Sequence, residues 1–386
     1  MIFNPKLLPK DSIFWQWLAS QSITEVPLSY QLTSAMSALG CLLKRNVWVD
    51  QLKWKVYPNL SLLLVGPSGI GKDVAIRAAS NLIQAFNPDL DIGGKTMEVI
   101  VDQLLRLGDP AAAFIAAPEI TAFLGGKDYQ KSMVQELTDI LSTGDQVNVS
   151  LKSFGGGKRL ILHPTLTMMA GSTEEWLHKA MPEGSLEGGL FPRFLIVCEE
   201  YNNRNIPLLK YSLSHSEIRD SKEGEHNFLG GVATLLERFS SPSEITPNQQ
   251  AIDSYTNWYY NRFKYFTKST SSYANRSRDQ VLRVAMICAI SRGHSYMDLG
   301  DMEFAQYLMN YVASTIDKAT LPPTIDGQIA KRIKLLLPTS TAKIIKELSK
   351  SYQLRQINEG LRMLVDGEEI KKQGSVWVFS PKEGDA

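Results

Sequence analysis

Seven residues carry the first chemical signal. Gly66-Pro67-Ser68-Gly69-Ile70-Gly71-Lys72 fits the spacing G-x-x-x-x-G-K, the pattern of a loop that cradles phosphate oxygens. Glycines accept backbone angles that other residues resist, so successive N–H groups can turn inward on an anion. The start of the helix that follows favours negative charge as well, and Lys72 would reach the outer phosphates. Leu60–Val65 reads as a buried strand and Val74–Phe86 as a helix, which is the context the pattern requires. The expected ligands are ATP and Mg²⁺. One position departs from the pattern: Asp73 stands where a serine or threonine is usual.

Carboxylates come next. The run "AAFIAAPEI" puts Glu119 just past an apolar strand, about fifty residues after the loop. In many ATPases that strand end carries Asp-Glu, one acid for Mg²⁺ and one to position the attacking water. Here Pro118 takes the aspartate's place, which leaves Glu119 as the candidate base. Asp73 adds a carboxylate beside the metal position and Pro118 removes one, and Mg²⁺ accepts carboxylate oxygens. Two readings stay open: Asp73 supplies the metal's carboxylate, or the site binds nucleotide without hydrolysing it. Ser172 and Thr173 end another apolar run, Thr165–Ala170, where a polar group could touch the γ-phosphate or the water. Arg193 precedes the apolar run Phe194–Cys198. It is either a finger into a neighbouring subunit's nucleotide or a surface arginine at a strand start.

A third signal is basic. Residues 148–164, "NVSLKSFGGGKRLILHP", read as a hairpin around three glycines. It carries Lys152, Lys158, Arg159 and Phe154, and no acid lies between Asp145 and Glu174. Such a hairpin suits a nucleic-acid backbone, or it is a solvated lysine-rich turn.

The elements that must position these residues follow from the apolar patterning. Residues 1–50 read as helical, with an amphipathic run from Leu32 to Leu43. Residues 51–211 alternate strand-like and helical runs, the pattern of an α/β layered sheet. Residues 212–226 are polar and charged and read as an exposed loop. A helical region then extends to 320, with Leu229, Val232, Leu235, Leu236 and Phe239 on one stripe. "LPPTIDG" (321–327) reads as a linker.

The terminal module, 321–386, reads as helix, helix and two short strands around Gln373-Gly374-Ser375, the winged-helix plan common in DNA-binding proteins. Arg355, Asn358 and Arg362 would share one face of its second helix, with Lys371 and Lys372 beside the wing turn.

Composition narrows the classes. The 386 residues hold 41 Lys+Arg against 40 Asp+Glu, so nucleic-acid contact must come from local patches. Three cysteines far apart argue against a disulfide framework and fit a reducing cytoplasm. Five histidines form no metal-ligand spacing, and neither a signal peptide nor a bilayer-spanning run is present.

Taken in order, "LLLVGPSGIGKD", "FIAAPEI", "LTMMAGST", "GLFPRFLIV" and "NRSRDQVLRVAMICAI" resemble the AAA+ ATPases of the minichromosome-maintenance-like superclade, and more closely the helicase-like replication ATPases of phages and mobile elements. The resemblance covers roughly residues 25–320. It implies an AAA+ core with a helical lid, a hexameric ring with residues 148–162 lining its pore, Arg193 as the finger, and Arg276, Arg278 or Arg283 as the lid arginine that senses the γ-phosphate. The expected function is an ATP-driven DNA motor with single-stranded DNA in the pore and duplex at the winged helix. The rivals are a nucleotide-switched DNA-binding initiator or helicase loader and, less well matched, a small-molecule kinase.

Overall fold

The computed structural model describes residues 3–379 except 94–95, 121–129, 143, 151–157, 181–188, 203, 267–269, 321–328, 331, 334–335 and 367–369. The chain forms two compact units, Met1–Thr320 and Leu321–Ala386. The stretch expected as a linker, 321–327, lies outside the described residues.

The larger unit begins with helices α1 (Phe14–Ser20) and α2 (Leu28–Leu42), then a hairpin of β1 (Val47–Asp50) and β2 (Lys55–Val56). Strand β3 (Leu62–Val65) runs through the glycine loop into α3 (Lys72–Phe86). After these come α4 (Met97–Leu107), β4 (Ala112–Ala117) and α5 (Gln130–Ile140). The antiparallel pair β5 (Gln146–Ser150) and β6 (Lys158–Leu162) precedes β7 (Thr165–Ser172), α6 (Glu174–Ala180) and β8 (Leu195–Cys198). Four longer helices complete the unit: α7 (His215–Arg238), α8 (Gln249–Asn261), α9 (Ser271–Ser291) and α10 (Leu299–Thr320).

The fold is mixed α/β around a parallel sheet of order β4-β7-β3-β8. Every residue of β3, β7 and β8 is buried. That explains their unbroken apolar runs, since a parallel sheet is covered on both faces. The register aligns Val65 with both Ser172 and Cys198. The glycine loop, Ser172 and Glu199 therefore leave the sheet at its carboxyl edge, where open parallel sheets bind ligands.

Three expectations need correction. Val47–Asp50 is a strand, although residues 1–50 read as helical. Helix α2 is not amphipathic; every residue but Leu28 is buried. Its polar residues are mostly small, and two of them find carbonyl partners: Thr33 Oγ1 donates to Ser29 O at 2.7 Å and Ser37 Oγ to Leu60 O at 2.6 Å, whereas the buried Ser34 hydroxyl has no hydrogen-bond partner.

The third correction is that residues 215–226 are not a loop but the first half of α7. A capping box starts it: Glu217 N donates to Ser214 Oγ at 3.2 Å, and Ser214 N donates to the Glu217 carboxylate at 2.8 Å. The charged side chains face solvent while Ser221 and Gly224 are buried, packed on α1. Ser221 Oγ donates to Ser20 O at 2.6 Å, and a Cβ at Gly224 would stand 2.8 Å from Gln16 O. Small residues make this contact face, so hydrophobic patterning does not reveal it. Further along, Val232, Leu235 and Phe239 of the expected stripe are buried, Leu229 and Leu236 are partly buried, and Phe228 is buried as well.

The smaller unit contains β9 (Thr339–Ser340), α11 (Thr341–Leu348), α12 (Leu354–Asp366), β10 (Ile370–Gln373) and β11 (Val376–Phe379), with an antiparallel sheet of order β9-β11-β10. Ile333, Ile344, Leu348, Ile357, Leu364 and Ile370 form its core. Trp377 Nε1 donates to Thr341 Oγ1 at 2.8 Å and ties strand to helix. Among the described residues no helix is long and apolar enough to cross a membrane.

The close approach of α7 to α1 has a measurable consequence. Gly224→Leu should destabilise the larger unit by about 1–3 kcal/mol through overpacking. Gly230→Ala in the same helix meets nothing within 4 Å and should be neutral or stabilising by up to about 1 kcal/mol. Thermal midpoints of the two variants should move in opposite directions or differ clearly in size.

Candidate functional site

The glycine loop leaves β3 through two left-handed residues, Gly69 (φ +84°) and Gly71 (φ +94°), which a side chain would strain. Gly71 is the N-cap of α3, and Lys72 is its first residue. The Lys72 ammonium is folded into the loop, where it donates to Gly66 O and Pro67 O, both at 2.7 Å. Burial lowers its pKa, and the Glu119 and Asp73 carboxylates act against that shift.

The loop is braced from behind by two helices far apart in sequence. Tyr30 of α2 donates to Val65 O at 2.6 Å. Glu199 N donates to the same carbonyl at 3.0 Å. The Glu199 carboxylate accepts from Ser29 Oγ and, at 2.5 Å, from the Tyr311 hydroxyl of α10. Burial raises the pKa of both tyrosines, which keeps them neutral donors. Sequence reasoning missed Tyr30, Glu199 and Tyr311, because each is a single residue without a spacing pattern.

On the next strand over, Ser172 Oγ donates to Glu119 Oε1 at 3.1 Å. The structure thus joins two of the expected catalytic residues. Thr173 does a different job: its Oγ1 accepts from Trp176 N at 3.2 Å and caps the start of α6. Asp73 turns along α3 to pair with Arg77 at 3.2 Å, with both side chains more than half exposed. An exposed i,i+4 pair is worth only about 0.3–0.5 kcal/mol, so this contact does not prevent Asp73 from serving an ion. Among the described residues, no group of three or more acidic, histidine or cysteine side chains could hold a metal. A divalent ion here would need oxygens from a bound nucleotide together with Asp73 or Glu119, a donor set that suits Mg²⁺. Loop N–H groups, a buried ammonium and a carboxylate held by a hydroxyl can bind a terminal phosphate and orient a water for attack on it.

A second cationic site stands at the other end of the sheet. Arg193 closes the turn Phe191–Arg193, immediately before β8. Its Nε and Nη2 donate to Ser142 Oγ at 3.0 and 2.5 Å, and its Nη1 donates to Gly189 O. Arg276 and Arg283, two turns apart on α9, reach the same cavity of about 220 Å³, which Trp54, Lys55 and Asp279 also line. Burial and then the Arg276 charge push the Arg193 pKa down to about 10, so it remains a cation at neutral pH. Burial also lowers Arg283, whose Nε has no hydrogen-bond partner. Four cations against one acid make a pocket for an anion. Arg278 does not line it; its guanidinium lies 5.4 Å from the Trp54 ring and pairs with Asp279 at 3.5 Å.

Within one chain the two sites lie at opposite ends of paired parallel strands. Arg193 precedes the amino end of β8, and Lys72 follows the carboxyl end of the parallel neighbour β3. The strands alone separate them by about 10 Å at roughly 3.3 Å per residue.

The expected nucleic-acid residues fall in two places. Lys158 and Arg159 are exposed on β6, opposite Ser150 and Val149; Lys152 and Phe154 lie outside the described residues. In the smaller unit, Arg355, Asn358 and Arg362 are exposed on α12, where Arg355 pairs with Glu359 at 3.1 Å. Lys371 and Lys372 are exposed on β10, and Lys372 lies 5.9 Å from the Trp377 ring centre.

No protein-family model matches the chain, and no curated protein matches it.

Two anion sites imply two additive stabilisations. Pyrophosphate should stabilise the larger unit by about 2.7 kcal/mol per site at a hundred times the dissociation constant, read as a rise in its thermal midpoint. Lys72→Ala should remove one part of the rise and Arg193→Ala with Arg276→Ala the other. A rise abolished by Lys72→Ala alone would contradict anion binding at the arginine pocket.

Proposed function

We propose that the chain is an ATP-hydrolysing DNA motor of the AAA+ class, acting in a hexameric ring, as a replicative helicase of a phage or mobile element. One observation carries the reading: the phosphate loop and the arginine pocket stand at opposite edges of one parallel sheet. A complete site then needs two copies, with Lys72 and Glu119 from one and Arg193, Arg276 and Arg283 from the next.

In this reading the loop N–H groups and Lys72 hold the phosphates of ATP, and Asp73 with Glu119 faces the Mg²⁺ position. The ion, when bound, neutralises charge that develops on the transferred phosphoryl group. Glu119, oriented by Ser172, takes the proton of the attacking water. The neighbour's arginines meet the γ-phosphate and stabilise its charge. The β5–β6 hairpin with Lys158 and Arg159 touches the DNA backbone. The order of helices and strands in the smaller unit fits a winged helix, with Arg355, Arg362, Lys371 and Lys372 toward duplex DNA.

Pro118 favours a second reading, an ATP-switched initiator or loader that turns over little, because it removes the usual metal carboxylate. Steady-state ATP hydrolysis with and without single-stranded DNA separates the two. The motor reading expects turnover that DNA stimulates and that Lys72→Ala reduces to background while the fold survives. Unchanged hydrolysis in Lys72→Ala would remove the loop from the mechanism. Slow turnover indifferent to DNA would favour the switch.

A further inference from the structure

Between Asp253 and Asp279 the sequence has no acid, five cations and eight aromatic residues. Packing explains only part of this segment. Ala251, Trp258 and Arg262 are buried, and Tyr255 between them is partly buried. Trp258 Nε1 donates to Asn310 Oδ1 at 3.2 Å, the Tyr255 hydroxyl donates to Arg278 O at 3.3 Å, and Arg262 Nε donates to Ala274 O at 3.2 Å. These residues recur at helical spacing and complete the inner face of α8.

The outer face has no such reason to be aromatic. Tyr260 is 78% exposed, Phe263 48% and Tyr265 46%. Two of these rings are held in a ladder. Tyr260 stands edge-on to Tyr259 with centres 5.6 Å apart. The Arg262 guanidinium lies 3.9 Å from the Tyr259 ring centre and 4.4 Å from that of Phe263. Lys264 is exposed beside them, and its Nζ donates to Asn261 Oδ1 at 2.6 Å.

Rings fixed in advance lose little freedom when something stacks on them. Bases stack on aromatic faces whatever their sequence, and neighbouring cations hold the strand by its phosphates. A two-fold pairing of this face with itself would oppose like charges, and the assembly-state measurement below distinguishes a head-to-tail contact with a second copy from a bound strand. We propose that Tyr260 and Phe263 form a stacking platform for single-stranded nucleic acid, with Lys264 against the backbone. The site needs no nucleotide and uses no residue of the β5–β6 hairpin or of the smaller unit.

The test uses the full chain, labelled dT20 and rU20 strands, and fluorescence anisotropy at several salt concentrations without nucleotide. On whichever strand the wild type binds, Tyr260→Ala with Phe263→Ala should weaken affinity by about fivefold or more per ring. The slope of log affinity against log salt should not change, since no phosphate contact is lost. Lys264→Ala should lower that slope by about 0.7. Tyr260→Trp keeps a stacking face and should bind within about twofold of wild type. The titration contains no nucleotide, so failure of the ATP reading would leave this one standing. Unaltered affinity in the double variant overturns the proposal. So does a change of assembly state by light scattering with strand affinity intact, which would assign the face to a protein contact.

Discussion

A strand buried between two parallel neighbours can release its chain only at its ends, and the arrangement here follows from where β3 does so. Val65 ends level with Ser172 and Cys198, so three chain segments leave the sheet together. The turn after Val65 must reverse direction within a few residues and start a helix. Two left-handed glycines allow that, and the ammonium of Lys72 closes the loop on its own carbonyls. Tyr30, Glu199 and Tyr311 then fix the loop's root from α2 and α10. The loop is thus a local sequence feature held by contacts that are not local.

The same parallel order sets the other cationic site out of reach. Because β8 runs alongside β3 in the same direction, whatever precedes β8 lies at the far edge from the loop. Arg193 is there, and α9 brings Arg276 and Arg283 to it at i,i+7 spacing. Burial first, and then the charge of the exposed Arg276, lowers the Arg193 pKa. Such a cluster is costly unless an anion joins it. In the proposed ring that anion would be a neighbour's nucleotide phosphate. Ser142, which holds Arg193 meanwhile, lies four residues before β5, so the arginine and the basic hairpin are joined by a short stretch of chain.

Much of this was legible in the sequence where a pattern repeats. The four strands were visible as apolar runs, though β3 begins at Leu62 and not Leu60. The loop was visible from its spacing, and the hairpin from its glycines. Patterning failed where small residues do the packing. Ser221 and Gly224 hid the start of α7 inside a polar run, and the serines of α2 made a buried helix look amphipathic. Among the three candidate arginines the sequence offered no choice; Arg276 and Arg283, two turns apart on α9, reach one cavity that Arg278, between them, does not line. The bracing tyrosines had no signal at all, whereas the acid-free aromatic stretch from 254 to 278 was readable in composition alone.

The central claim is that a complete site is made by two copies of the chain. The direct measurement is ATP hydrolysis by mixtures of Arg193→Ala and Glu119→Gln subunits, each nearly inactive alone, under conditions where subunits are shown to exchange. If the site is shared, some interfaces in a mixed ring pair an intact Glu119 with an intact Arg193, and activity should appear, with a maximum at intermediate ratios. Mixtures that remain as inactive as their components at every ratio would contradict the account.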